Sequence, residues 1–195
     1  VRYPGTANRR VLSIAAIVAA ASFPAGARAD LKVDPPHTSA SFSVKHFTLT
    51  TVSGTIDVKS AEIAVAGDDT LTSAKADLDL TTIDTKVADR DADLKSDHWF
   101  DVAQYPTMSF VSTKITGDKS AMTVLGNLTF HGMTNPVTLT AKFDGSIKDP
   151  RGNTHVGYSA TGTIDRTKWG LGMSYPPAIV GDDIAIDIEL EAITR

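Results

Sequence analysis

From Leu31 onward the chain alternates apolar and polar residues with a period of two. That period marks strands with one dry face and one wet face. Ala40, Phe42 and Val44 alternate with Ser39, Ser41, Ser43 and Lys45. Gly54, Ile56 and Val58 alternate with Thr55, Asp57 and Lys59, and Ala76, Leu78 and Leu80 with Asp77, Asp79 and Thr81. Met108 and Phe110 share a face, as do Val124, Gly126, Leu128 and Phe130. The longest dry faces are Val137, Leu139, Ala141, Phe143, Gly145 and Ile147, then Val156, Tyr158, Ala160, Gly162 and Ile164. The last sets Ile184, Ile186, Ile188 and Leu190 against Asp183, Ala185, Asp187 and Glu189. With a first strand near Leu31–Asp34, the pattern predicts eight or nine strands.

Turn residues separate these runs. Gly67-Asp68-Asp69, Gly117-Asp118, Asp149-Pro150-Arg151-Gly152-Asn153 and Gly181-Asp182-Asp183 all read as loops. Their hairpin-like spacing predicts a mostly antiparallel sheet. One segment, Asp84–Asp97, is highly charged and does not alternate. It predicts a short helix capped by Asp84 or Thr85, with Val87, Arg90, Asp91 and Leu94 near one face. A helix so short and polar cannot stand alone and is expected to lie across one end of the sheet. Strands with one dry side close into a barrel or stack as a sandwich, and periodicity does not separate the two. Ala40, Gly54, Ala76, Gly126, Ala141, Gly145, Ala160 and Gly162 lie at dry positions. In a barrel of about eight strands, small inward residues leave room for one ligand. They also relieve strand coiling and fill tapered ends, so the cavity and a packed interior both stay open.

The first 29 residues read differently. Arg2, Arg9 and Arg10 form a basic start, Val11–Phe23 is apolar, and Ala27-Arg28-Ala29 fits a cleavage site. This predicts an export signal over residues 1–29, cleaved after Ala29, and one domain over residues 30–195 in the periplasm or outside the cell. The apolar run is too short to span a bilayer, so no integral membrane protein is expected. From Asp30 on, 15 basic residues stand against 23 acidic ones, a net charge of −8. That sign excludes nucleic-acid binding, which needs clustered Lys and Arg. The chain has no cysteine, which removes disulfides, thiolate chemistry and a lipoprotein anchor.

Several motifs run in order along the chain. They are Val33-Asp34-Pro35-Pro36-His37-Thr38-Ser39, Phe42-Ser43-Val44-Lys45-His46 and Arg90-Asp91-Ala92-Asp93-Leu94-Lys95-Ser96 through Phe100-Asp101. Tyr105-Pro106-Thr107-Met108-Ser109-Phe110, Leu128-Thr129-Phe130-His131-Gly132-Met133-Thr134-Asn135-Pro136-Val137 and Ile164-Asp165-Arg166-Thr167-Lys168-Trp169-Gly170 follow. On these motifs the chain resembles the bacterial YceI family of lipocalin-like polyisoprenoid-binding proteins. The resemblance implies an all-β fold, an eight-stranded antiparallel up-and-down lipocalin-like barrel with a short lid helix. It implies an isoprenoid chain threaded through the interior, and brings no catalytic residue, cofactor or required metal. Trp99 and Trp169 stand where the family usually has Phe, and Asp93 where His is common.

The residues themselves offer little catalysis. His37, His46, His98, His131 and His155 are widely spaced, with no close ligand pair, so no metal site is expected. His131-Gly132 is expected to shape a tight turn and His46 to end a strand. No Gly-x-Ser-x-Gly elbow occurs. The expected apolar lining is Phe42, Val44, Ile56, Leu78, Leu80, Met108, Phe110, Leu128, Phe130, Leu139, Phe143, Tyr158, Ile164, Ile186 and Ile188. Arg90 and Asp91 read as an ion pair tying the helix to the barrel, or as contacts to a polar head at the mouth. The expected function is non-catalytic: holding an isoprenoid lipid or quinone for transport, storage or sequestration, with transient membrane contact. A scavenger of assorted hydrophobic compounds, an enzyme acting on a lipid and a packed barrel used for protein contact are the alternatives.

Overall fold

Alternation over long runs produces long strands. The computed structural model describes residues 31–194, and the expected signal over residues 1–29 lies outside them. The strands are β1 (Leu31–Val33), β2 (Ser39–His46), β3 (Thr50–Val65), β4 (Leu71–Asp84), β5 (Thr107–Asp118), β6 (Ala121–Phe130), β7 (Met133–Lys148), β8 (Thr154–Asp165) and β9 (Val180–Thr194). The single α-helix among the described residues is α1 (Ala88–Lys95), between β4 and β5. Each of β2 to β9 pairs antiparallel with the next, and β9 returns to pair with β2. Eight strands thus close an up-and-down barrel, which removes most exposed sheet edges.

β1 is the ninth strand. It pairs with the end of β9, Val33 opposite Ala192, on the side where β2 pairs further along. Pro35 and Pro36 separate β1 from β2 by a 3-10 turn, Pro35–His37. Proline cannot donate to a ladder, so the dipeptide breaks what would be one strand into two.

The β6–β7 connection is the tight turn expected at His131-Gly132, with φ of 49° and 71°. Both left-handed positions match the twist of a two-residue hairpin. Gly181-Asp182-Asp183 is not a loop: it opens β9. Arg166 ties it to the end of β8, donating from Nε to the Gly181 carbonyl at 3.1 Å and pairing with the Asp182 carboxylate at 2.8 Å.

The barrel interior holds two packed clusters. The first, at the β1 end, includes Val33, Val65, Leu71, Met122, Val124, Ala141, Val156, Tyr158 and Ala192. The second, at the α1 end, includes Leu80, Ile83, Trp99, Phe100, Phe130, Trp169 and Leu171. Between them the packing opens.

Candidate functional site, an apolar cavity under a lid

A cavity of about 370 Å³ lies inside the barrel. That is toward the small end of the roughly 300–1,000 Å³ usual for ligand pockets. Its wall is almost wholly apolar and draws on β2 to β9 and on α1. The inward residues of β9, Ile184, Ile186, Ile188 and Leu190, all border it. So do Phe42, Val44, Leu78, Met108 and Phe110. These nine side chains are only half-buried although each points to the interior. A filled barrel would bury them fully; here they face open space.

Twelve of the fifteen expected lining residues border the cavity: Phe42, Val44, Ile56, Leu78, Met108, Phe110, Leu128, Phe130, Leu139, Ile164, Ile186 and Ile188. Leu80, Phe143 and Tyr158 do not. Leu80 is fully enclosed in the cluster at the α1 end. Phe143 and Tyr158 pack on each other, ring centroids 5.4 Å apart, in the plug at the β1 end. The Tyr158 hydroxyl donates to the Asp69 carbonyl at 2.9 Å. Residues that border the cavity but are not among the expected lining include Val52, Val58, Val137, Ile184 and Leu190 on strands, and Leu94, Trp99, Leu171 and Tyr175 in the lid. The strand residues sit at inward positions of the same alternation. Leu94 lies on the face expected for α1, whereas Trp99, Leu171 and Tyr175 carry no periodic signal.

The small inward residues divide in a way the sequence does not reveal. Ala40 and Ala76 border the cavity. At Gly54, Gly126 and Gly162 neighbouring side chains already occupy the space. A Cβ would meet the Phe42 ring at 2.6 Å, the Phe110 ring at 2.3 Å and Leu139 Cδ2 at 2.5 Å, respectively. Ala141 is buried in the β1-end plug, and Gly145 lies at a register shift between β7 and β8. Gly54, Gly126 and Gly162 make room for neighbours' side chains, not for a ligand.

The lid is α1 together with the connection between β8 and β9. α1 starts later than expected, and its N-cap is Val87, with no side-chain cap. Thr85 serves differently. Its backbone N–H donates to Asp91 Oδ1 at 2.8 Å, and its hydroxyl donates to the same oxygen. Arg90 donates from Nε to Thr85 Oγ1 and from Nη2 to the Thr85 carbonyl, both at 2.7 Å. Arg90 and Asp91 therefore tie α1 to the end of β4 through a shared Thr85 rather than by an ion pair to each other. Arg90 borders the cavity and Asp91 does not; Asp93 borders it instead.

Aromatic contacts hold the lid shut. Trp99 stacks on Tyr175 at 5.2 Å and donates from Nε1 to Asp93 Oδ2 at 3.0 Å. Gly172 lies against the Trp99 ring with φ of 56°, where a Cβ would come within 2.3 Å of it. Phe100 meets Phe130 edge-on at 4.9 Å. Arg166, 2% exposed, donates to the carbonyls of Leu171, Gly172, Tyr175, Val180 and Gly181 at 2.6–3.1 Å. Beside it, the Thr167 hydroxyl and backbone N–H hold the Asp165 carboxyl below the usual carboxylate range. The polar residues that border the cavity at this end are Lys45, His46, Arg90, Asp93, Tyr175 and the internally paired Arg166, with Thr38 and Ser41 elsewhere on the wall.

The family model described as the YceI-like domain matches residues 31–192. The chain belongs to the YceI family. A YceI-family relative, a UPF0312 protein of Enterobacter sp. strain 638, is 32% identical over 166 residues, covering 83% of this chain and 85% of its own. A UPF0312 protein of Pseudomonas putida strain F1 is 36% identical over 132 residues, covering 63% of this chain and 67% of its own. Among solved structures, Burkholderia cenocepacia BcnA aligns with a TM-score of 0.73 at 21% identity, over 82% of this chain and 99% of that one. The Campylobacter jejuni YceI protein aligns with a TM-score of 0.68 at 25% identity, over 77% and 90%. A domain from Saccharophagus degradans described as polyisoprenoid binding aligns at 0.60 and 13% identity, over 86% and 100%. The YceI barrel is thus shared with these proteins.

Proposed function

We propose that this protein is a non-catalytic carrier that holds an isoprenoid lipid or quinone inside its barrel, in the periplasm or outside the cell. The observation that carries the reading is the set of nine apolar side chains pointing inward yet half-exposed around an unfilled cavity. Burying a ligand's apolar surface there is favourable by about 25 cal/mol per Å² before the costs of association. The wall offers no nucleophile–base pair, while its few polar groups cluster at the lid, suited to a head group. The polyisoprenoid-binding description of the Saccharophagus degradans domain agrees with this choice of ligand. Native mass spectrometry of the protein recovered from a Gram-negative host tests both halves of the proposal. The expected species begins at Asp30 and carries one lipid of isoprenoid mass. A retained leader overturns export with cleavage after Ala29, and an empty barrel or a non-isoprenoid passenger overturns the ligand.

The same end of the barrel suits brief contact with a membrane. Among the described residues, Phe47, Leu49, Val87, Met133 and Met173 are five of the eight exposed large apolar side chains. All five sit at the lid end, on or beside the connections that surround the cavity mouth. Phe47 and Thr48 hold φ of 50° and 57°, uncommon for residues with a Cβ, and the turn leaves Leu49 81% exposed. Strained backbone that presents apolar groups to water at a mouth fits a docking role. No helix among the described residues is long and apolar enough to cross a membrane. The double variant Phe47→Ser, Leu49→Ser is expected to weaken cosedimentation with phosphatidylcholine vesicles about tenfold, or about 1.4 kcal/mol. Lipid retention at equilibrium should stay the same. Unchanged cosedimentation would remove the membrane contact and leave the carrier reading intact.

A further inference from the structure

At the end of the barrel opposite the mouth, the Pro35–His37 turn folds against β9 and gathers groups that lie far apart in sequence. Donor atoms of Asp34, His37 and Glu191 all lie within 4.8 Å of one another. We propose that Asp34, His37 and Glu191 form a binding site for a divalent transition cation of the Zn²⁺ type.

The backbone holds these three residues in fixed relation. The Asp34 N–H donates to the Glu191 carbonyl at 2.8 Å, and the His37 N–H to the Asp34 carbonyl at 3.1 Å. Thr38 Oγ1 donates to the Asp34 carbonyl at 2.9 Å and accepts from the Glu191 N–H at 3.3 Å. Pro35 and Pro36 fix φ through the turn, and residues three apart in a 3-10 turn project on the same side. His37 Nδ1 consequently rests 2.9 Å from Asp34 Oδ2, close to the spacing of neighbouring ligands around one small cation. The Glu191 carboxylate completes the set, within 4.8 Å of both other donor atoms.

The donor chemistry suits such an ion. One neutral imidazole and two carboxylates carry a charge of −2, which matches a dication. Nitrogen with carboxylate oxygen is a common zinc donor set, at about 2.0–2.2 Å, and three protein ligands leave a position for water. Further side chains hold the carboxylates in place. His155 Nδ1 lies 2.6 Å from Glu191 Oε1, and its Nε2 lies 3.5 Å from Asp149 Oδ2. Asn153 in turn donates to Asp149 at 2.9 Å. Hydrogen bonds of this kind orient ligating carboxylates and strengthen metal affinity. A bound cation would staple β1 and the proline turn to β9, closing the end of the barrel where the interior is plugged. The single-sequence spacing of the histidines hides the site, because Glu191 arrives from the far end of the chain.

The test is calorimetric titration of the tag-free full chain with Zn²⁺, together with its melting temperature. One Zn²⁺ per chain is expected, with a rise in melting temperature that follows occupancy. His37→Ala and Asp34→Asn should each cut affinity at least a hundredfold. His155→Ala should cut it about tenfold, since Glu191 loses the ring that orients its carboxylate. His98→Ala, at the lid end, should change nothing. The His37 side chain is largely exposed, so its loss leaves the metal-free melting temperature unchanged and folding does not confuse the reading. Absence of Zn²⁺ binding at micromolar concentration, or binding equally strong in His37→Ala and Asp34→Asn, overturns the site. Lipid retention should be the same in every one of these variants, so the two ligands fail or succeed separately.

Discussion

Replacing Arg166 with Met is expected to destabilise the protein by about 3–5 kcal/mol, the cost of breaking a buried charged network from one side. The guanidinium is 2% exposed and spends its donors on five backbone carbonyls between Leu171 and Gly181. Met would fill part of the volume but would leave those carbonyls without their donor and the Asp182 carboxylate, 2.8 Å away, without its cation. Each unsatisfied buried group costs about 1–3 kcal/mol, reduced wherever the connection opens to water. Opening is itself the second effect. The connection carries Leu171, Tyr175 and Ile179 onto the cavity and presses Tyr175 on Trp99. Released, it should become the first site of limited proteolysis, and lipid retention should fall with it. Arg166→Lys keeps the charge but not the five-donor fork, so it should fall between wild type and Met. Urea unfolding followed by circular dichroism reads the stability, and a change below about 1 kcal/mol in Arg166→Met would sink this account.

The way Arg166 works also explains what the sequence could and could not reveal. Period two tells which face of a strand a residue occupies, and that sufficed for eight strands closing around one dry interior. β6 is the clearest case: Met122, Val124, Gly126, Leu128 and Phe130 are all buried and their neighbours all exposed. Period two does not tell height along the barrel. Tyr158 and Ile164 sit on the same face of β8, yet one is in the plug and the other borders the cavity. A glycine signals that something approaches closely, but not whether the visitor is a ligand or a neighbouring ring. Gly126 is filled by Phe110, and Gly162 by Leu139. Local turn chemistry failed where a distant residue overrode it. Gly181-Asp182-Asp183 joins β9 because Arg166 captures its polar groups, and Thr85 bonds to Asp91 instead of capping α1. Leu94 falls on the expected helix face, but Trp99, Leu171 and Tyr175 of the lid wall have no repeating pattern to read, since they come from irregular connections.

Filling the cavity should separate folding from binding. Ala76 borders the cavity on β4 and is half-buried, between Ala61 on β3 and Phe110 on β5. Ala76→Phe would project a ring into space that is empty in the protein alone. Its stability should change by less than about 1.5 kcal/mol, because apolar volume enters a void rather than a filled core. The ligand, by contrast, should lose the contacts of several methylene groups. At about 0.8 kcal/mol each, three such groups reduce affinity by roughly 2.4 kcal/mol, between tenfold and a hundredfold. Gly162→Phe is a poorer probe. Its Cβ would meet Leu139 Cδ2 at 2.5 Å and the Thr138 carbonyl at 3.0 Å, so it should damage the barrel before it blocks a ligand. Leu78→Asp, at another cavity position, should harm both properties, since its carboxylate would face an apolar wall with no partner. Retention of a fluorescent isoprenoid measures binding, and circular dichroism measures folding. If Ala76→Phe folds normally and retains the lipid at the wild-type level, the lipid does not occupy this interior, and the half-exposed apolar lining needs another explanation.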